Sequence, residues 1–330
     1  MIHCPSTLAA VRRHRLVWLA SALLFLCLVG CGPRKGSATQ AKEADVGALL
    51  DLLPPGPSPV LFARPRALFA SEVVRSLWTT VVDAKDEQSF VARTGVDPRE
   101  LDELVVFELP QAGYLVLARG AFVAREVVTR AAERFTLPDV ASDEPLFRRE
   151  GMSGITRYAY VALDAHSVLA SKNAPPALVA LVLARISDRK APRAFDAPDA
   201  AALYNELKGA SCVLCAPRPL ELPGADKGVA LLLAEERALA ASATPETAAL
   251  RIDVKLRGDF PPGAEQNFER LVMSVATSPL GQLLGLSEAG KDLRIARSDV
   301  GVALSFSFPA QRLALGLRAL FKDDLRDLMR

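Results

Sequence analysis

Hydrophobic residues recur along this chain at two spacings, one typical of helices and the other typical of strands. Apolar residues three and four positions apart run from Leu68 to Val82 and predict a helix over residues 66–82. Alternation of apolar and polar residues runs from Leu250 to Gly258 and predicts a strand with one buried face. Because both spacings interleave along the chain after residue 45, we expect a mixed α and β protein.

The same spacings, read together with the prolines and glycines, predict the remaining elements. Helices are predicted at residues 86–93, 123–135, 175–186, 198–207, 262–276 and 310–329. Strands are predicted at residues 59–63, 103–109, 113–119, 145–150, 154–162, 167–171, 211–216, within 228–242, and at 250–258, 291–297 and 300–308. The final helix has a wide apolar face, which fits packing on a sheet or docking of its end to a partner helix or a membrane.

One order of elements occurs twice. Val60 to Phe135 and Ile252 to Phe321 both follow the order strand, helix, two strands, helix, which resembles the ferredoxin-like half-motif. We therefore expect an α+β fold with two tandem ferredoxin-like (β-α-β-β-α) halves, antiparallel sheets and helices on one face. A charged connector with two prolines, residues 187–199, separates a first α+β domain at 46–190 from a second at 191–330. Identity between the halves is slight, so a true duplication is a hypothesis.

The first 30 residues follow neither spacing. Arginines at positions 12, 13 and 15 precede a 15-residue apolar stretch from Leu16 to Gly30, the arrangement of an export signal. A membrane-spanning helix needs about 20 apolar residues, and here Gly32 and Pro33 follow the stretch closely. We therefore predict a cleaved lipoprotein signal peptide at residues 1–30 and a flexible tether at 31–45.

The end of the apolar stretch resembles the bacterial lipobox. Leu28, Val29, Gly30 and Cys31 match its aliphatic residue, its small residues and its obligatory cysteine. The resemblance implies signal cleavage between Gly30 and Cys31 and lipidation of Cys31 through a thioether, with fatty acyl chains such as palmitate as the membrane anchor. Gly32 is not the aspartate of an inner-membrane retention signal, which favours the outer membrane. The alternatives are an ordinary signal peptide cut elsewhere and an uncleaved anchor.

The body of the chain also resembles a known group of sequences. The motifs that carry the resemblance are Leu53-Pro54-Pro55, Pro65-Arg66-Ala67-Leu68, Thr94 to Asp102, and Ala118 to Phe122. Over residues 50–320 they are similar to predicted envelope lipoproteins of unknown function from high-GC Gram-negative bacteria. The resemblance implies export and architecture, and it implies no catalytic residue.

Composition and charge limit the classes of partner that the protein can bind. Half of the chain is hydrophobic and 24% is charged, as in ordinary globular proteins. Removal of the signal segment with its three arginines leaves 37 basic and 38 acidic residues, a net charge of about −1. We therefore expect no nucleic-acid partner.

Two cysteines and one histidine of the mature chain invite chemical hypotheses. Cys212 and Cys215 have a C-x-x-C spacing, but they lie in a predicted strand, where residues three apart point to opposite faces. That favours buried thiols over a redox pair. His166 lies in a polar turn between predicted strands without a visible catalytic partner, which favours an exposed turn residue.

Acidic residues and glycines complete the candidates. Asp97, Glu100, Asp102 and Glu103 could form paired carboxylates or a calcium site, but helix capping by Asp97 and Glu100 accounts for two of them. Gly120 and Gly258 end predicted strands in matching places, each two residues before a phenylalanine, and we expect a turn with positive φ at each glycine.

These observations predict no catalytic residue, no metal site and no cofactor. The function they favour is that of a membrane-anchored envelope lipoprotein on the periplasmic side, with a non-catalytic structural or binding role. Its expected partners are the membrane, through acylated Cys31, and an envelope protein. The alternative is an enzyme or carrier that binds a lipid or peptide in a pocket between the two halves.

Overall fold

The structure is a computed structural model that describes residues 48–55, 59–109, 113–134, 137–138, 146–151, 154–188, 193–207, 209–216 and 235–329. Its strands are β1 Val60–Ala63, β2 Leu101–Leu109, β3 Gly113–Gly120, β4 Leu137–Pro138, β5 Leu146–Gly151, β6 Gly154–Ala162, β7 Ser167–Lys172, β8 Cys212–Ala216, β9 Glu236–Pro245, β10 Ala249–Gly258, β11 Arg294–Ser298 and β12 Gly301–Pro309.

Helices connect and cover the strands. The longer ones are α1 Glu72–Val81, α2 Ala84–Thr94, α3 Ala124–Arg134, α4 Pro176–Ser187, α5 Pro198–Leu207, α6 Ala264–Thr277, α7 Pro279–Leu284 and α8 Ala310–Met329. Short helical turns lie at Leu49–Leu52, Pro65–Leu68, Pro98–Glu100, Leu286–Ala289 and Gly290–Asp292. Gly95 ends α2 with a φ of 72°, so the predicted left-handed cap there is confirmed.

All described strands belong to one sheet. Their order is β11-β12-β10-β9-β8-β1-β2-β3-β7-β6-β5-β4, and each pair of neighbours is antiparallel. The α+β class and the antiparallel pairing are thus confirmed, whereas the two predicted sheets are joined into one through β1 and β8. The tandem ferredoxin-like arrangement is not confirmed.

From its centre outward the sheet shows the same strand order twice. One side runs β1-β2-β3-β7-β6 and the other runs β8-β9-β10-β12-β11. The predicted repeat had instead matched β1 with β10. Between Val60 and Phe135 the strands form a meander β1-β2-β3, whereas β10, β12 and β11 have the split order in which the last strand lies between the other two. In the recurring unit β3 therefore occupies the position that β10 occupies in the other half.

The ends of β3 and β10 support this correspondence. Gly120 N donates to His166 O in the β6–β7 turn at 3.1 Å, and Gly258 N donates to Val300 O in the β11–β12 turn at 3.3 Å. A register shift lies opposite each glycine, at Leu101/Glu103 in β2 and beside Glu236 in β9. The two ends share the same hydrogen-bonding pattern.

The predicted reason for these two glycines is wrong. Neither has positive φ; among the described glycines that conformation occurs at Gly95, Gly263 and Gly285. Close approach of the backbone excludes a side chain instead, because a Cβ at Gly258 would lie 2.0 Å from Glu235 O and one at Gly120 would lie 2.8 Å from Glu100 O.

Helices cover both faces of the sheet, not the predicted single face. On the first face α1, α3 and α8 pack on β1, β2 and β10, and α6 packs on β10 and β12. On the second face α4 and the Leu49–Leu52 turn cover the strands of the first half, and α5 covers β8 and β9. All four β1 residues are buried, since the central strand is covered on both faces.

The two halves share a core where they meet. One cluster of buried residues contains Leu61 of β1, Cys212 of β8 and Leu313 of α8. Arg318 of α8 also donates from Nη1 to Thr80 O at 2.8 Å and pairs with Asp83 at 3.2 Å. The predicted domain boundary at residues 190 and 191 lies outside the described residues and stays a prediction.

Candidate functional site

Among the described residues no helix packs across the second face of the sheet over β10, β12 and β11, and we call this surface the open face. β10 contributes Arg251, Asp253, Lys255 and Arg257 to it. Opposite them on β12 lie Ser307, Ser305, Ala303 and Gly301, and on β11 Arg294, Ala296 and Ser298 continue the same rows. All three described residues of β11 on this face are exposed, whereas Ile295 points to the opposite face and packs with α6.

Helix α5 sets the limit of the open face. Ala200 and Leu203 bury its apolar side against β8 and β9, which places Glu206 over β10. Glu206 accepts hydrogen bonds from Lys255 Nζ at 2.7 Å and from Arg257 Nη2 at 2.5 Å. The hydrogen bond from Lys255 and then that from Arg257 hold the pKa of Glu206 below its ordinary value, so this carboxylate is charged at neutral pH.

A second charged pair and a cleft border the same surface. Arg251 Nη2 lies 3.1 Å from Asp253 Oδ1, which leaves Arg294 as a cation of the open face without an ion pair among the described residues. Beside α5, Glu206, Ser211 and Thr244 line a cleft of about 370 Å³. The surface can therefore hold negatively charged groups next to an adjoining pocket.

The predicted acidic candidates do not converge on one site. Asp97 accepts from Arg99 N at 2.9 Å, which confirms it as a cap, and Asp102 pairs with Arg66 at 2.5 Å. Glu103 lies 3.4 Å from Arg119 Nη1 on the second face. Glu100 lines a separate cleft of about 270 Å³ with Asp97. Within the described ranges no group of three or more His, Cys, Asp or Glu side chains is placed to hold a metal ion.

The two strand cysteines are buried thiols, as predicted. Cys212 lies in the core of the first face and Cys215 beneath α5 on the second, and neither forms a disulfide within the described part of the chain. Burial raises the pKa of the Cys215 thiol to about 12. A thiol that stays protonated is a poor nucleophile, so the redox alternative receives no support from this geometry.

His166 is exposed in the β6–β7 turn, as predicted. Its Nδ1 lies 2.9 Å from Phe122 O, and its backbone N donates to Asp164 Oδ1 at 2.8 Å. These contacts join the turn to the residues that follow β3. The histidine therefore has a local structural role in the fold.

Gly30 and Cys31, the predicted cleavage and lipidation residues, lie outside the described residues. The fit of these two positions to a lipobox thus stays a prediction. No helix in the described part of the chain combines the length and apolar character required to cross a bilayer.

The open face is the feature that sequence reasoning missed. The alternation in β10 does place Arg251, Asp253, Lys255 and Arg257 on one face, so the charged row was visible in the sequence. The neighbours of β10 were not visible, because the row becomes an open surface only through pairing with β12 and β11.

Comparison with known proteins finds structural similarity at low sequence identity. No family model matches the chain, and no curated protein matches its sequence. Solved structures of TP0453, an outer-membrane-associated lipoprotein of Treponema, resemble the fold in outline. Its crystal form III has a TM-score of 0.45 and 11% identity, with 82% of this chain and 97% of that chain covered. Crystal form IV gives a TM-score of 0.44 with 12% identity, over 82% and 96% of the two chains. A likeness this distant identifies no ligand, partner or lipidated cysteine.

Proposed function

We propose that the protein is a lipid-anchored lipoprotein of the bacterial cell envelope, whose body has a structural or binding role rather than a catalytic one. The anchor is supported by the order of the amino-terminal signals. Arginines precede the apolar stretch from Leu16, and that stretch ends at Gly30 and Cys31. Acyl chains on Cys31 attach the body to the periplasmic side of a membrane, with the outer membrane favoured by Gly32.

The non-catalytic role rests on the packed junction between the halves. The alternative of an enzyme or carrier needs a pocket there for a lipid or peptide. Leu61 and Cys212 from the central strands and Leu313 from α8 fill that place, with exposures of 3% or less. The open face, by contrast, offers charged and hydroxyl groups to a partner.

We also infer that the strand orders β1-β2-β3-β7-β6 and β8-β9-β10-β12-β11 descend from one ferredoxin-related unit. In that unit β3 and β10 are equivalent. The matched glycines and register shifts support this inference, as does the common split order of β3-β7-β6 and β10-β12-β11. The unit includes two additional strands before the split motif, β1 and β2 in one half and β8 and β9 in the other.

Metabolic labelling tests the anchor. Cells that express the full chain receive an alkyne fatty acid, and the labelled protein is then detected after membrane fractionation. We expect label and membrane association for the natural chain and for Cys27→Ala, a matched control in the same apolar stretch. Cys31→Ala should lose the label and accumulate with its signal uncleaved. Equal labelling of Cys31→Ala and the natural chain would contradict the proposal.

A further inference from the structure

The floor of the open face consists of small side chains. On β12 these are Ala303, Ser305 and Ser307, which are half-buried, with buried Gly301 at the strand's start, and on β11 they are exposed Ala296 and Ser298. Small residues let the backbone of another element approach a sheet closely. The two serines of β12 carry hydroxyl groups that can form hydrogen bonds, whereas Ser298 Oγ of β11 donates to Gly301 O at 3.3 Å. The floor is thus a surface without bulky side chains, which leaves room for a further helix.

Positive charge borders this floor on two sides. Arg251, Lys255 and Arg257 line one side along β10, and Arg294 stands on the other side on β11. Asp253 and Glu206 are the carboxylates that face the same surface, so four cations meet two anions. The open face therefore favours a negatively charged occupant.

The protein itself shows how this surface binds a carboxylate. Glu206 is carried by a helix that lies on the second face, and its two oxygens accept from Lys255 and Arg257 at 2.7 and 2.5 Å. A second helix beside α5 would bring its carboxylates within reach of Arg251 and Arg294. The first half shows that a helix fits this location, since α4 packs on the equivalent strands with Val179 and Val182.

We propose that the open face binds an acidic helix of a partner protein, which lies beside α5 across β12 and β11 and places carboxylates against Arg251 and Arg294. This inference deepens the proposed binding role by naming the class of partner and the surface it occupies. It differs from the contact of α4, because the open face offers charged and small polar residues where α4 meets leucines. A polar contact of this kind suits an association that forms and dissociates.

Site-directed crosslinking tests the proposal in cells that make the full-length protein. A photoreactive residue, Ser305→p-benzoylphenylalanine, stands in the middle of the floor, and Glu269→p-benzoylphenylalanine on α6 serves as the control on the opposite face. We expect a protein adduct from position 305 and not from 269. The crosslinked partner peptide should belong to a helix with net negative charge.

Charge reversal identifies the contacts that hold the partner. Arg251→Glu with Arg294→Glu should reduce the adduct about tenfold, whereas Arg270→Glu on α6 should leave it unchanged. Arg251→Gln with Arg294→Gln provides a milder pair should the reversed chain fail to fold, which circular dichroism of the purified protein checks. An adduct with a lipid, with a second copy of the chain or with a basic segment would overturn the proposal.

Membrane fractionation distinguishes a failure of this inference from a failure of the proposed lipid anchor. If position 305 gives no protein adduct while the chain still carries acyl label in the membrane fraction, the inference fails and the proposed function stands. If the label is absent as well, the failure lies with the proposed function. Loss of the adduct in the Arg251 and Arg294 variants with label retained is the result we expect.

Discussion

The second face of the sheet is built differently in the two halves. In the first half Leu115, Leu117 and Leu169 lie under α4, each with 0% exposure. The corresponding positions in the second half, counted from Gly120 and Gly258, are Asp253, Lys255 and Ala303. Side chains of Asp253 and Lys255 are 27% and 35% exposed. One strand plan therefore supports a dry core in one half and an open polar surface in the other.

The helix that follows each split motif explains the difference. α4 follows β7 and packs on the second face, whereas α8 follows β12 and packs on the first face against α1. Leucines on the strands stabilise a covering helix by burial, and charged residues at the same positions would have to lose water without compensation. β3 has leucines on the second face, where α4 covers it, and β10 has charged residues on that face, which α8 does not cover.

Truncation of matched strand residues should give the largest contrast. Leu117→Ala should lower the free energy of unfolding by about 2–5 kcal/mol, because it removes fully buried methyl groups and leaves a cavity under α4. Lys255→Ala, at the corresponding position of β10, should cost less than about 1 kcal/mol, because its ion pair is partly exposed. Urea unfolding followed by circular dichroism measures both. Equal losses at the two positions would show that the second half is covered as well.

Glycine substitutions test whether β3 and β10 really correspond. Gly258→Ala should destabilise the protein by about 1–3 kcal/mol, because the new Cβ would overlap Glu235 O and the backbone would have to move. Gly120→Ala should cost less, since its Cβ would meet Glu100 O at the longer distance of 2.8 Å. Gly209→Ala is the control, because no atom lies within 4 Å of its Cβ. Thermal unfolding of the three variants should rank them in that order, and a neutral Gly258→Ala would argue against the shared geometry.

Local pattern predicted most of the elements, because each depends on residues close in sequence. The spacing from Leu68 to Val82 predicted one helix, which the structure divides into the Pro65–Leu68 turn and α1. Alternation in residues 250–258 predicted β10 nearly to its ends. Pairing depends on distant residues, and nothing in the sequence near Val60 indicates that β1 lies between β2 and β8. The predicted repeat therefore matched β1 with β10, although the strand order makes β3 the equivalent of β10.

Burial on both faces was equally hidden in the sequence. Cys212 to Ala216 is apolar throughout, which predicted a buried strand. The helix at 198–207 was also predicted, but its position over this strand was not. Charged residues of β10 looked like an ordinary solvated face until their partners on β12 and β11 proved to be small. A candidate surface that consists of three strands can be recognised only when their order is known.

The pH dependence of the free energy of unfolding should show whether α5 excludes water from the Cys215 thiol on the second face. The unfolded thiol loses its proton near the ordinary pKa of 9.0, whereas burial keeps the folded thiol protonated up to about 12. Between these values the unfolded state binds fewer protons, so stability falls as the pH rises. Compared with Cys215→Ala, the natural chain should lose about 1.4 kcal/mol more between pH 8 and pH 10, measured by urea unfolding. Parallel pH profiles for the two proteins would mean that α5 does not exclude water from this position.

The smallest expected effect concerns Glu206, which joins α5 to the open face. Its pKa is lowered mainly by the hydrogen bond from Lys255, so its contribution to stability is present above the ordinary pKa of 4.5 and is lost as the pH falls through the lowered value. Because the side chain is 38% exposed, Glu206→Gln should cost under about 1 kcal/mol at pH 7 and less than that at pH 3. Glu269→Gln, a change of the same kind on exposed α6, should be neutral at both pH values. A loss of stability from Glu206→Gln that persists at pH 3 would show that the residue acts through packing, and the carboxylate contact would then be no guide to how the open face binds a partner.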